Sequence, residues 1–224
     1  ATLPAFFYVG LMMILIGMAF KISAVPFHFW APDVYGGSPT EITAFMSTVI
    51  KTAAFAAFFK LFSSVFYTVQ PVWFPVLQTI TILTLVIANI TAVYQSNVKR
   101  ILAFSSVAHA GFVLLAMTTG NDAAASIIFY YLAVYTLATI AAFYVVLQVE
   151  KYNQEQNDIE HFKGLFTSNP LLAVSMTIAL LSLAGIPPLA GFFGKYLVFS
   201  LALSNGYTGL VILAVITSLI GVFY

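Results

Sequence analysis

Three lysines, Lys21, Lys51 and Lys195, stand inside apolar stretches of this sequence, and a histidine, His109, stands in a fourth. A charged side chain near a bilayer midplane costs roughly 3 kcal/mol on insertion scales, so one retained there faces a bundle interior or a wet cavity and marks an ion or proton path. Low dielectric disfavours the ammonium form, which lets a lysine load and release a proton near neutrality. Three such lysines on separate segments can form a relay. His109 lies near the middle of its segment with Ser105 and Ser106 about a turn earlier, and an imidazole titrates in the range needed to pass protons between amines. The plainer alternatives are a satisfied core histidine and lysines that snorkel to an interface. His28, just beyond Pro26 and nearer a membrane surface, fits a supporting or a structural role equally.

The elements that must position these groups carry an unusual proline chemistry. Pro26 follows Lys21-Ile-Ser-Ala-Val, and a proline lacks the amide donor and clashes with the preceding turn, so the helix carrying Lys21 should break just after it. Gly185-Ile-Pro187-Pro188 interrupts a later segment in the same way, with Lys195 two turns on and no polar connector between. Backbone groups freed inside hydrocarbon must be satisfied by protein or water, so broken helices are tolerated where they line a cavity. Two broken segments, each with one lysine, have the internal correspondence of repeat-built transporters.

Composition sets the medium. The 224 residues include only 8 Lys or Arg and 7 Asp or Glu against 62% hydrophobic residues, and the mean hydropathy of +1.02 is far outside soluble usage. The expected fold class is an all-α polytopic membrane protein. About 20 apolar residues per span give about seven segments: 4 to 30 with the break near Ser23 to Pro26, 39 to 62, 72 to 94 with Trp73 and Tyr94 as interfacial aromatics, Lys99 to Thr118, a fifth to Val149 capped by Asn121-Asp122, 170 to 203, and a last from Tyr207. Ser38-Pro39-Thr40-Glu41 reads as a capping box opening the second span. Residues 150–168 form a charged connection whose charges read as solvated and whose Ile159, Phe162, Leu165 and Phe166 suit an interfacial helix. Lys99, Arg100, Lys151 and Lys163 collect on one face and Lys60 on the other, so the first face should be cytoplasmic, or matrix or stromal in an organelle. With no initiator Met and a short last segment, the chain reads as a fragment cut at both ends.

The same composition excludes several classes. There is no basic run for nucleic acid. The absence of cysteine removes disulfides, thiolate metal sites, iron–sulfur ligation and thiol nucleophiles. No phosphate loop, metal-ligand cluster or Ser/His/Asp set is recognisable, so no cofactor or metal site is expected in this chain.

Three motifs, Lys21-Ile-Ser-Ala-Val-Pro-Phe-His-Phe-Trp-Ala-Pro-Asp-Val-Tyr35, Lys99-Arg-Ile-Leu-Ala-Phe-Ser-Ser-Val-Ala-His-Ala-Gly111 and Gly185-Ile-Pro-Pro-Leu-Ala-Gly-Phe-Phe-Gly-Lys-Tyr196, resemble the antiporter-like membrane subunits of proton-pumping NADH:quinone oxidoreductase, respiratory complex I, and among them subunit N. The sister subunits M and L carry variants of the first motif ending in Leu-Pro-Asp, and M has Glu where Lys195 stands. The resemblance implies a fourteen-helix subunit of two inverted five-helix repeats, of which this chain would hold helices seven to thirteen. Residues 1–64 would end the first repeat and 65–224 form the second, with helices seven and twelve discontinuous. Lys21 would be the central lysine of one half-channel, Lys51 the connecting lysine and Lys195 the lysine of the second half-channel, with His109 between them. The family pairs the Lys21 position with a glutamate on a helix that would precede Ala1, and Gly36 and Glu41 stand where it has Glu and Pro.

The resemblance further implies membership of a complex with other membrane subunits, especially M and K. NADH, FMN, iron–sulfur clusters and quinone would be handled by partner subunits, in a bacterial inner membrane or, as the alternative, an organellar inner or thylakoid membrane. Competing readings are an Mrp-type or stand-alone cation/proton antiporter subunit, a non-conducting structural subunit, and a quinone-binding enzyme, which no motif supports.

Overall fold

The computed structural model describes residues 4–120, 123–153 and 157–224. Ala5–Lys21 (α1) and Trp30–Gly37 (α2) are the two arms of the first broken helix. Thr40–Phe45 (α3) runs through a π-helical turn, Met46–Ile50, into Lys51–Lys60 (α4) and a second π turn, Leu61–Val65. Gln70–Val93 (α5), Val98–Met117 (α6) and Ala124–Tyr152 (α7) follow as long helices. After the short Leu165–Ser168 (α8) come Pro170–Ala184 (α9) and Ala190–Ser204 (α10), the arms of the second broken helix, and then Thr208–Phe223 (α11). Four helical stretches are long and apolar enough to cross a membrane by themselves, and α1, α9, α10 and α11 are shorter apolar helices. The chain is all-helical and multi-pass, as its hydropathy requires.

Both breaks are built alike. Ser23 and Gly185 take left-handed backbone, with φ of 62° and 84°. The next amides, of Ala24 and Ile186, reach back to the Ala19 and Leu181 carbonyls, while the Ser23 and Gly185 amides bond the Phe20 and Ser182 carbonyls. These paired reversals are the Schellman ending that satisfies the last carbonyls of a helix. Pro26 and Pro188 follow three residues later, each after a cis peptide bond. The freed Val25 amide is taken up by Thr84 Oγ1 on α5 at 3.0 Å. At the second break the Gly191 amide finds Ser182 Oγ at 3.3 Å. Every break thus borrows a hydroxyl, as backbone in hydrocarbon must.

At the centre is α6, buried along almost its whole length among α2, α5, α7 and α10. The contact with α5 is close because Gly111 leaves no Cβ where Leu85 packs, at 2.9 Å from where one would sit. A helix enclosed on all sides is where polar groups can be kept from lipid.

Several expectations are corrected. The arm after the first break starts at Trp30 and continues to Gly37, because Pro32 sits in its first turn, where a missing amide is harmless. The Ser38 to Glu41 capping box is not made: helix α3 starts at Thr40 after Pro39, without a side-chain cap, and Glu41 is exposed. The second span continues past Phe62 to Val65. Trp73 is buried, its indole N–H donating to the Phe66 carbonyl at 2.9 Å where the π turn ends, whereas Tyr94 is exposed. The interfacial helix over Ile159 to Phe166 is split into a 3-10 turn, Ile159–Phe162, and α8, since Lys163 is extended and Gly164 left-handed. The Asn121-Asp122 cap lies outside the described residues.

Candidate functional site

The site grows from the π turn ahead of Lys51. An extra residue in the turn rotates the helix face, and Lys51 projects inward, where Nζ donates to the Ser106 carbonyl at 2.8 Å and to Ser106 Oγ at 2.6 Å. The Tyr135 hydroxyl of α7 stands 2.9 Å from Ser106 Oγ and 3.2 Å from the Ser47 carbonyl. Lys51, Ser106 and Tyr135 are therefore one hydrogen-bonded cluster joining three helices.

His109 lies a turn further along α6. Its ring centroid is 5.0 Å from that of Tyr135, and Nδ1 is hydrogen-bonded to the Tyr131 hydroxyl at 2.7 Å. On the far side, Lys195 of α10 donates to the Ala184 carbonyl at 2.7 Å and to Ser218 Oγ at 2.9 Å, with its ammonium 4.9 Å from the Phe112 ring centroid. Ala184 is the last residue of α9, so the second break supplies the carbonyl, and the C-terminal end of a helix favours a cation. His109 and Lys195 line one cavity of about 260 Å³ together with Asn89, Ser105 and Tyr224. A water needs only about 10 to 15 Å³ of such space and two to four polar partners, so this cavity can hold several.

Among the described residues no carboxylate lies within ion-pair distance of Lys51 or Lys195; the ion pairs found are Lys99–Glu150, Arg100–Asp33 and Lys163–Glu160. Both amines are placed to exchange protons with hydroxyls and imidazole instead of being locked in a salt bridge.

Of the residues picked out in the sequence, Lys51, Ser106, His109 and Lys195 meet along this axis, and Ser105 joins through the cavity. Lys21 does not. It ends α1 and is exposed within the present chain, outside the cluster that joins Lys51, Ser106 and Tyr135. His28 is buried between Phe29 and Phe104, with ring centroids at 4.4 and 6.3 Å. Sequence reasoning missed Tyr131, Tyr135, Ser218, Asn89 and Tyr224. The signal for two of them was present: Tyr131, Tyr135 and Thr139 recur every fourth residue, one helical face, in an apolar helix. The charged connection also holds a surprise. Glu150 and Lys99 are buried and paired at 3.4 Å, not solvated, because Glu150 is still on α7 and that helix packs against α3.

The model of the family described as NADH:quinone oxidoreductase/Mrp antiporter, TM, matches residues 5–221. The chain belongs to that family. Subunit N of the NADH-quinone oxidoreductase of Cytophaga hutchinsonii is 47% identical over the whole chain, which covers 49% of that protein. The Flavobacterium johnsoniae subunit N is 48% identical, again over the whole chain and 50% of the relative. The chain thus spans about half the length of the curated relatives it matches. Among solved structures, respiratory complex I from Thermus thermophilus with bound aureothin contains a chain 40% identical with a TM-score of 0.86, covering 99% of this chain and 48% of that one. The Mrp complex from Dietzia sp. is matched at 25% identity and a TM-score of 0.88, over 96% of this chain and 40% of that one. The resemblance read from the three motifs is borne out at the level of the family and of the subunit N relatives.

Proposed function

We propose that this chain carries the proton path of an antiporter-like membrane subunit of an NADH:quinone oxidoreductase, with protons relayed between Lys51 and Lys195 through Ser106, Tyr135 and His109. The observation that carries this reading is the grouping of two buried lysines, three hydroxyls and an imidazole, joined by hydrogen bonds, a ring contact and one shared cavity, across an otherwise apolar bundle. The Ser106 and Tyr135 hydroxyls first rotate so that Ser106 donates to Tyr135 and Tyr135 donates onward toward His109. A proton leaving the Lys51 ammonium then passes to Ser106 Oγ as the Ser106 proton moves to the Tyr135 oxygen and the Tyr135 proton leaves toward the imidazole. Rotation of both hydroxyls back to the arrangement seen here resets the path. Water in the cavity closes the distance from His109 to Lys195.

Nothing in such a path drives it. Redox energy would come from quinone reduction in partner subunits that hold NADH, FMN, iron–sulfur clusters and quinone. A signal from them acts only so far as it changes proton affinity differently in two states of this axis. Membrane neighbours of the M and K type, two inverted repeats meeting near residue 65, and a carboxylate from outside the present chain beside Lys21 complete the proposal. The two breaks of like construction support the repeat.

The test is proton pumping together with NADH:quinone turnover in membranes carrying Lys51→Ala or Lys195→Ala in the full-length subunit, with assembly verified. Loss of pumping in assembled complex is expected; normal pumping and turnover would leave a structural subunit as the better reading. The Mrp likeness favours a second reading, a cation/proton antiporter subunit, distinguished by sodium-dependent proton exchange in vesicles without NADH.

A further inference from the structure

On the face that carries the charged connection, four elements close on one buried ion pair. Lys99 Nζ, at the start of α6, lies 3.4 Å from Glu150 Oε1 at the end of α7 and donates to the Ser38 carbonyl at 2.7 Å. Glu150 also accepts from Asn157 Nδ2 at 2.7 Å and, through its other oxygen, from the Thr40 hydroxyl. Outside the pair is a cavity of about 560 Å³, lined in part by Gly36, Glu41 and Lys151. A buried pair of this kind is a poor source of net stability, because desolvation offsets most of its attraction.

Inward from the pair runs a seam of hydroxyls. Thr40, Thr43, Ser47, Thr48 and Lys51 occupy one face of the α3–α4 helix and all are buried, while Ile42, Phe45 and Val49 on the opposite face are exposed. This helix is amphipathic inside out, with its polar face in the bundle. The hydroxyls of Thr43, Ser47 and Thr48 donate to carbonyls of Tyr35, Pro39 or Ala44 at 2.5 to 3.3 Å. Each still has acceptor capacity for a passing proton donor. On the facing side Thr139 of α7 is buried. From Thr40 to Lys51 the seam rises about 16 Å at 1.5 Å per residue.

We propose that the Lys99–Glu150 pair is the gated mouth through which protons from the charged-connection face reach Lys51, with Glu150 as the proton acceptor and Lys99 holding it closed. A hydronium ion in the outer cavity gives up a proton, leaving water, as an O–H bond forms on the Glu150 carboxylate; this cancels the attraction of Glu150 for Lys99 and frees the Thr40 side of the mouth. The proton then leaves Glu150 along the hydroxyl seam as an N–H bond forms on Lys51 in its free-amine state, and the ion pair closes again. This rests on the relay reading of Lys51.

The test measures pumping by assembled complex with Glu150→Gln, with the double change Lys99→Met/Glu150→Gln, and with Lys51→Ala as the reference. A small cationic methanethiosulfonate probes Thr43→Cys in the same backgrounds. The expected result is a loss of pumping of about tenfold or more with Glu150→Gln, equivalent to about 1.4 kcal/mol, and faster labelling of Thr43→Cys once the pair is open. The double variant leaves no unpaired charge, so it should assemble and still pump poorly. Recovery of pumping in the double variant would show a structural clamp and overturn the proposal. Normal pumping with Glu150→Gln while Lys51→Ala fails would overturn the mouth and leave the relay standing. Normal pumping in both would overturn the relay itself.

Discussion

At the residue scale, the informative feature is which polar groups the bundle keeps without counter-charges. Tyr135 is the joint between the Lys51 cluster and His109, and its ring packs on the imidazole while its hydroxyl serves Ser106. Tyr135→Phe keeps the packing and removes only the hydroxyl, which should cost about 1 kcal/mol of stability and lower pumping by about tenfold. Melting of the purified complex and proton uptake per NADH oxidised would check the two parts, and full pumping with Phe would remove Tyr135 from the path. The lysines were legible because a charge in an apolar run has few explanations. The tyrosines carried a weaker signal, the every-fourth-residue face of Tyr131, Tyr135 and Thr139, which does not decide their role because an amphipathic ring reads equally as an interfacial anchor or a bundle residue. Trp73 shows the same ambiguity in reverse: its indole found the Phe66 carbonyl inside the bundle. Glu150 was misjudged because the last turn of a helix and the start of a charged loop look alike in sequence, and only packing against α3 separates them.

At the element scale, the two breaks set the axis, one by placing α2 against α6 and the other by offering the Ala184 carbonyl to Lys195. Their existence was readable from Pro26 and Pro187-Pro188, but their extent was not, because left-handed ends and back-bonding to earlier carbonyls depend on geometry that prolines alone do not specify. The two left-handed positions differ in one respect that can be tested. Ser23 has a Cβ in a conformation that costs an L-residue about 1 to 2 kcal/mol, and its hydroxyl is among the buried polar atoms without a partner. Gly185 has no such cost, and an added Cβ would come within 2.8 Å of Lys195 Cδ. Ser23→Gly should therefore raise the melting temperature of the assembled complex, while Gly185→Ala should lower it and weaken pumping by displacing Lys195. A thermal shift of the opposite sign at either position would contradict this account of the breaks.

At the scale of the whole molecule, the chain is ordered by where its few charges are tolerated. The pairs Arg100–Asp33, at 3.1 Å, and Lys99–Glu150 bring the ends of α2, α6 and α7 to one face, and Lys151 and Lys163 lie exposed in the same region. The exposed Lys60 closes α4 at the opposite end. That asymmetry survives folding, so the bias of basic residues predicts that the Lys99 face is cytoplasmic, or matrix or stromal in an organelle. Because none of the 224 residues is cysteine, single cysteines can report this directly if the rest of the subunit is also made cysteine-free. Tyr67 and Tyr152 are exposed near opposite ends of the bundle. In intact cells a membrane-impermeant maleimide should label Tyr67→Cys, while Tyr152→Cys should react only after the membrane is opened. The reverse pattern would invert the orientation. It would also move the Glu150 mouth to the outer side, where an uptake port for an outward pump cannot be, so the orientation and the direction of proton flow through Lys51 stand or fall together.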